Sequence, residues 1–143
     1  AEWEKAAEGG DGVIFPWGNV FDGDLVNYCD STCQQSWADG SYNDGNTYTS
    51  PVDAFPGGAS GYGILNLAGN VWEWVSDWYD PGAYFSPLDD NPVGPSSGTL
   101  RSVRGGGYVD PVHRVRVATR GFFDPANSEI FFGFRCVLPV GTP

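Results

Sequence analysis

Between Asp11 and Ser60 the chain is interrupted so often by turn signals that no long helix or strand fits. Asp22-Gly23, Asp39-Gly40, Asp44-Gly45 and Pro56-Gly57 all fall there, and hydrophobic periodicity is weak. Long loops of this kind need tethering, and buried Trp, Asp/Asn side-chain turns or bound ions are the means available. Gly (21) and Pro (11) supply 32 of 143 residues, but 41% hydrophobic content and six Trp set the chain apart from collagen and from disorder. The length suits one domain around one core.

Regular elements are expected at the edges of this region. Residues 2–7 (EWEKAA) read as the end of a helix stopped by Gly9-Gly10. Residues 65–79 (LNLAGNVWEWVSDWY) are the densest in aromatics and read as a short helical turn passing into a strand. Residues 80–99 form a Pro/Gly/Ser/Asp loop, followed by strand-like segments at 100–104 (LRSVR), 114–119 (RVRVAT, strictly alternating) and 130–138 (IFFGFRCVL). The expectation is a loop-rich α+β domain with a small twisted antiparallel sheet built mainly after residue 100. No apolar run approaches about 18 residues, which excludes a membrane-spanning helix. The acidic opening Ala1-Glu2-Trp3-Glu4 does not read as a secretory signal, and with no Met the chain is expected to be a processed or excised piece.

The net charge of −11 is unevenly distributed. Residues 1–100 carry fifteen Asp/Glu against the single base Lys5, whereas residues 101–143 carry six Arg against three acids. A body this acidic argues against nucleic acid or an anionic membrane as partner. Its carboxylates serve solubility or, clustered with Asn on loops, can hold Ca²⁺. Three cysteines allow one internal disulfide, and Cys29 and Cys33, four apart, can form it in an oxidising compartment. Zinc needs two further ligands, and Cys136 and the single His113 lack motif spacing. Cys136, on an apolar run, reads as a buried, inert thiol.

Two oxygen-rich constellations stand out. Asn66 and Glu73 can supply side chains, with carbonyls of Gly69 and Val71, to one Ca²⁺; alternatively Glu73 pairs with an arginine of the tail. Asn27 and Asp44, with carbonyls of Tyr28 and Asn46, form a second set, against which stands an ordinary Asx turn. Gly105-Gly106-Gly107 lacks the features of a phosphate loop and marks a bulge or a close backbone approach. No nucleophile has a base at recognisable spacing, and the paired acids Asp77/Asp80 and Asp89/Asp90 read as solvated. Residues 108–132 interleave Tyr108, His113, Arg114, Phe122 and Phe123 with Val112, Val115 and Val117, so a binding surface and a packed core are both readable there.

Together these motifs resemble the C-terminal half to two-thirds of a formylglycine-generating-enzyme/sulfatase-modifying-factor domain, a variant of the C-type lectin fold. The pieces occur in family order: AEWEKAAEGG (1–10), FPWGN (15–19), NYC (27–29), SPVDAFP (50–56), YGILNLAGNVWEWVSDWY (62–79), NPVGPSSG (91–98), RSVRGGGY (101–108), RVATR (116–120) and GFRCV (133–137). The resemblance implies two structural Ca²⁺ ions, one on Asn27, Tyr28, Asp44 and Asn46, the other on Asn66, Gly69, Val71 and Glu73. It does not carry activity across. Formylglycine-generating enzymes hold copper with two cysteines just beyond the RGG motif, where this chain reads Tyr108-Val109-Asp110-Pro111-Val112-His113-Arg114.

Sulfoxide synthases share the domain, and their RNFF-like segment is similar to Arg120-Gly121-Phe122-Phe123, but their iron is held by a separate histidine-bearing domain. The resemblance therefore implies a non-catalytic, Ca²⁺-stabilised binding or structural module, extracytoplasmic or at the cell surface. The alternative is the substrate-binding half of an oxidoreductase whose metal lies elsewhere. The expected partner is the missing N-terminal portion or another protein chain, with a protein or glycan as ligand. Retroelement variable proteins with this fold bind through the stretch between RGG and GFR, which places a face on Tyr108, Val109, Asp110, His113, Arg114, Phe122, Phe123, Asn127 and Glu129.

Overall fold

The computed structural model describes residues 1–10, 12–83, 92 and 94–138, which leaves Asp89/Asp90, part of the 80–99 loop and part of the 91–98 motif outside the described residues. Helix α1 spans Glu2–Glu8 and ends where Gly9, at φ 68°, returns its N–H to the Lys5 carbonyl. The glycine is required twice over, since a Cβ there would also lie 2.9 Å from the Gly61 nitrogen. The helix docks through Trp3, Ala6 and fully buried Ala7 against Leu67, Val117 and Ile64. A second cluster joins Phe15, Val26, Tyr28, Ala68 and Val115, with Trp17, Phe21, Tyr42 and Val112 packed on its flank.

Strands β1 (Trp72–Trp78), β2 (Arg101–Arg104), β3 (Arg120–Phe123) and β4 (Phe132–Gly133) form one sheet in the order β3-β2-β1-β4. β1 pairs antiparallel with β2, placing Glu73 opposite Arg104, and its register shifts between Trp74 and Trp78. The domain is the loop-rich α+β fold expected, with two differences of detail. β1, which precedes residue 100, lies inside the sheet, and β4 runs parallel to it, pairing Trp72 with Phe132.

Three local expectations are corrected. Residues 114–119 are not a strand: a short 3₁₀ turn at Val112–Arg114 leads into further turns, in which Arg116 folds its Nε back onto the His113 carbonyl. Val115 and Val117 are buried all the same, as their alternation suggests, because Val117 is drawn in by an N–H bond to the Ile14 carbonyl. The turn ahead of β1 is not helical, since Asn66, Gly69 and Asn70 take positive φ. Cys136 is exposed rather than buried: beyond β4 the chain leaves the sheet, and Phe134, Val137 and Leu138 are exposed with it.

Candidate cation site and the loops around it

Asn70 organises the centre of the molecule. Its N–H donates to the Asn27 carbonyl (2.8 Å), and its own carbonyl accepts from the Tyr108 N–H (2.9 Å). Its side chain closes a pair of bonds with the backbone of Ser50, at 3.0 and 3.2 Å. One residue with a left-handed backbone (φ 63°) thus ties together segments near 27, 50 and 108, a role that asparagine tolerates better than most residues. Gly69 beside it is equally constrained, since a Cβ would fall 2.1 Å from the Asn27 carbonyl oxygen.

The Asn27–Asn46 region is fastened by Asp30, which is wholly buried. Its carboxylate accepts from the Thr32 N–H and hydroxyl (2.8 and 2.7 Å) and from the Asp44 N–H (2.5 Å). The Asn46 carbonyl lies 2.8 Å from the same Thr32 hydroxyl, so it shares that single O–H with Asp30. Cys29 and Cys33 are disulfide-bonded and close this loop from the other side. Neither Asp30 nor Asn70 is singled out by the sequence alone; the one available signal is the density of Asp and Asn on turns.

Two acceptors here are buried without a partner: Asn27 Oδ1 and Asp44 Oδ2. The Asn27 amide nitrogen donates to the Tyr48 carbonyl, which fixes Oδ1 as the atom left over. The other Asp44 oxygen accepts from the Asn46 N–H at 2.7 Å. Burial, reinforced by the Asp30 charge, pushes the Asp44 carboxyl up to about 6. An unmatched amide oxygen and an unmatched carboxylate oxygen are hard donors, the set that a Ca²⁺ ion satisfies. In chemistry and burial these two oxygens therefore suit the ion.

The second set is arranged differently. The buried Glu73 carboxylate accepts from Arg135 Nε (2.7 Å) and Nη2 (2.5 Å) and from the Trp3 indole N–H (2.7 Å). Arg135 also donates to the carbonyls of Leu65 and Asn66, and the Asn66 amide donates to the Val52 carbonyl. The tail arginine thus already neutralises Glu73. A cation on Asn66, Gly69, Val71 and Glu73 would share that carboxylate with a guanidinium.

The stretch after the triple glycine is divided between interior and surface. Tyr108 is buried, with its ring edge-on to Tyr48 (6.0 Å), so it does not belong to an open face. Asp110 turns inward and accepts from Trp72 Nε1 (2.7 Å) and the Gly107 N–H (3.0 Å), and burial raises its pKa. His113 and Arg114 are exposed, as are Asn127 and Glu129. Phe122, half exposed, stacks on Tyr79 (4.4 Å), and Phe123 meets Phe132 edge-on (4.5 Å). Among the described residues no group of three or more His, Cys, Asp or Glu is placed to hold a metal ion. The glycines behave as expected of a close backbone approach, since a Cβ on Gly106 would lie 2.9 Å from the Arg114 carbonyl oxygen.

Residues 1–140 match the family described as sulfatase-modifying factor enzyme 1-like domain. The formylglycine-generating enzyme of Thermomonospora curvata is 41% identical over 143 residues, covering 95% of this chain and 46% of that protein. The inactive C-alpha-formylglycine-generating enzyme 2 of Mus musculus is 34% identical over 148 residues, covering 99% of this chain and 42% of that protein. Among solved structures, PvdO from Pseudomonas aeruginosa superposes with a TM-score of 0.71 at 26% identity, over 93% of this chain and 48% of that one. The chain therefore spans less than half the length of these relatives.

Proposed function

The chain belongs to the sulfatase-modifying factor enzyme 1-like family, and from that premise we propose that it is a non-catalytic, Ca²⁺-stabilised binding or structural module of a larger protein or assembly. The observation that carries this reading is the pair of orphaned buried oxygens on Asn27 and Asp44, together with a thiol-free segment from Tyr108 to Arg114. A Ca²⁺ ion would supply positive charge to those oxygens, and Asn27, Asp44 and the carbonyls of Tyr28 and Asn46 would hold it. Asp30 and Thr32 keep the two loops together around it. The kinship with an inactive relative supports the loss of chemistry.

The surroundings support a module within something larger. Ile130, Phe134, Val137 and Leu138 are each more than three-quarters exposed along the last strand and its continuation. Apolar surface of that kind marks a contact. A further portion of the domain, or another chain, covers it in this reading, and His113 and Arg114 are left to meet a protein or glycan ligand. The Cys29–Cys33 disulfide supports an extracytoplasmic or cell-surface setting. No helix among the described residues is long and apolar enough to cross a membrane.

Two measurements test the proposal. At Ca²⁺ a hundredfold above its dissociation constant, the folded state gains about 2.7 kcal/mol. With an unfolding entropy of about 0.3 kcal/mol/K for 143 residues, that raises Tm by about 9 °C over EDTA. Asn27→Ala and Asp44→Asn should each abolish the increment. An unchanged Tm removes the ion from the proposal, and conversion of a sulfatase cysteine peptide to the aldehyde in the presence of copper removes its non-catalytic part.

A further inference from the structure

An open depression of about 520 Å³ lies beside the first core cluster, walled by Trp17, Phe21 and Tyr42 and edged by Asp22 and Asp24. Its walls are packed ring against ring. Phe15 stacks under Trp17 at 5.3 Å with planes 11° apart and packs against Phe21 at 5.4 Å. Phe21 is edge-on to Tyr28 (5.0 Å) and to Tyr42 (5.9 Å, 86°), so two walls meet at a right angle. Tyr42 is seated on Gly23, where a Cβ would lie 2.4 Å from the ring. The indole N–H of Trp17 is spent on the Val20 carbonyl, so the indole has no free donor to offer a ligand.

The charge around this corner is one-sided. Asp22 uses one oxygen to cap the Asp24 N–H (3.0 Å), and among the described residues no basic side chain lines the depression. The sequence holds no Lys or Arg between residues 6 and 100. Elsewhere this protein pairs its aromatic rings with its own cations: Arg101 lies 3.5 Å over Trp78, Arg104 5.3 Å over Trp3, and Arg120 5.4 Å over Tyr79. Here the rings and carboxylates are present, and the cation is not supplied by the chain. Aromatic faces attract organic cations through their quadrupole, and adjoining carboxylates add a charge-assisted bond. We propose that this corner binds a primary alkylammonium group, either the head of a lysine side chain or a free amine of the same chemistry. The site is separate from the Asn27–Asp44 oxygens and does not depend on the ion there.

The test is a titration of the 143-residue chain, kept in Ca²⁺, following the Trp17 indole N–H resonance. The probes are Nα-acetyl-lysine N-methylamide and n-butylammonium, with the capped norleucine and n-butanol as neutral counterparts. Both ammonium probes should shift the resonance, and the neutral ones should bind at least about 10-fold more weakly. A response to the capped lysine alone assigns the site to a peptide side chain; a response to both probes admits free amines. Asp24→Asn, on an exposed carboxylate, should weaken binding about 3-fold, and Tyr42→Leu, which keeps apolar bulk but removes the ring, about 5-fold. Equal binding of the neutral probes, a silent Trp17, or binding indifferent to both substitutions would overturn the proposal.

Discussion

The buried contact between β1 and the tail is the sharpest place to perturb this fold. Replacing Arg135 with Met keeps an apolar stem but removes four bonds: two charge-assisted bonds to Glu73, and single bonds to the carbonyls of Leu65 and Asn66. Glu73, with its side chain only 8% exposed, is left with the Trp3 indole as its one remaining donor among those bonds. Breaking a buried ion pair from one side costs about 3–5 kcal/mol. The Arg135 side chain is 30% exposed, so water can reach part of the vacated space, and the lower end, about 3 kcal/mol, applies. With about 2.1 cal/mol/K per residue over 143 residues, Tm should fall by about 10 °C.

Glu73→Gln should cost less, about 1–2 kcal/mol, because the amide still accepts from Trp3 and Arg135 retains its carbonyls and some solvent. The double variant Glu73→Gln/Arg135→Met should then be more stable than Arg135→Met alone, a coupling that a double-mutant cycle on urea midpoints reads directly. Additive effects, or an Arg135→Met cost below about 1 kcal/mol, would refute the pairing. Repeating the series in millimolar Ca²⁺ separates the two readings of Glu73. If Ca²⁺ erases the Arg135→Met penalty, a cation can replace the guanidinium, and the Asn66–Glu73 set is a second ion site after all.

Gly69→Ala should destabilise by about 3 kcal/mol, since it adds a left-handed strain to a Cβ placed 2.1 Å from the Asn27 carbonyl. Gly63→Ala, at φ +75° with open space around it, should cost only about 1 kcal/mol, and urea denaturation compares the two. Asp110 has its folded pKa raised by burial, so its contribution to stability is fully present below the ordinary Asp range and is lost as pH rises through the raised value. The difference in Tm between Asp110→Asn and the parent should therefore widen with pH across that window; a constant difference contradicts the burial argument. Reducing the Cys29–Cys33 bond, which closes a loop of four-residue separation, should cost about 2 kcal/mol, as thermal melts with and without dithiothreitol would show.

What the sequence made legible was mostly local. The stop of α1 at Gly9, strands β1 and β2, and the Cys29–Cys33 bond all follow from signals within a few residues. The buried valines at 115 and 117 were legible too, but the strand inferred from their alternation was not real, because their N–H groups bond the carbonyls of Val112 and Ile14 rather than a neighbouring strand. β3 was hidden for a tertiary reason. Gly121 looks like a breaker, yet it pairs with Val103 and leaves room for the Trp72 ring, where a Cβ would come within 3.2 Å. The choice between a cation and a tail arginine for Glu73 stayed open because its partner lies 62 residues away. Asn27, Tyr28, Asp44 and Asn46 stood out by their density of oxygens on turns and again by family likeness, but Asp30, which clamps the two loops, and Asn70, which anchors Asn27, emerge only from the hydrogen bonds.

The segment beyond the glycines shows how the loops of this fold are held. That segment is fixed chiefly by its main chain. The Asp110 carbonyl accepts from the Cys29 N–H (3.0 Å) and its N–H donates to the Gly107 carbonyl (2.9 Å). The Val109 carbonyl accepts from the Trp37 indole (3.0 Å), and the Arg114 N–H closes on the Pro111 carbonyl (2.8 Å). Backbone groups are the same whatever the side chain, so those bonds make no demand on the side chains at 109, 111 and 113, of which His113 is exposed. Asp110 is the exception, because its carboxylate holds Trp72 and Gly107. In this chain the loops are thus held by main chain and by Asn and Asp tethers, with little reliance on the other side chains of the segment.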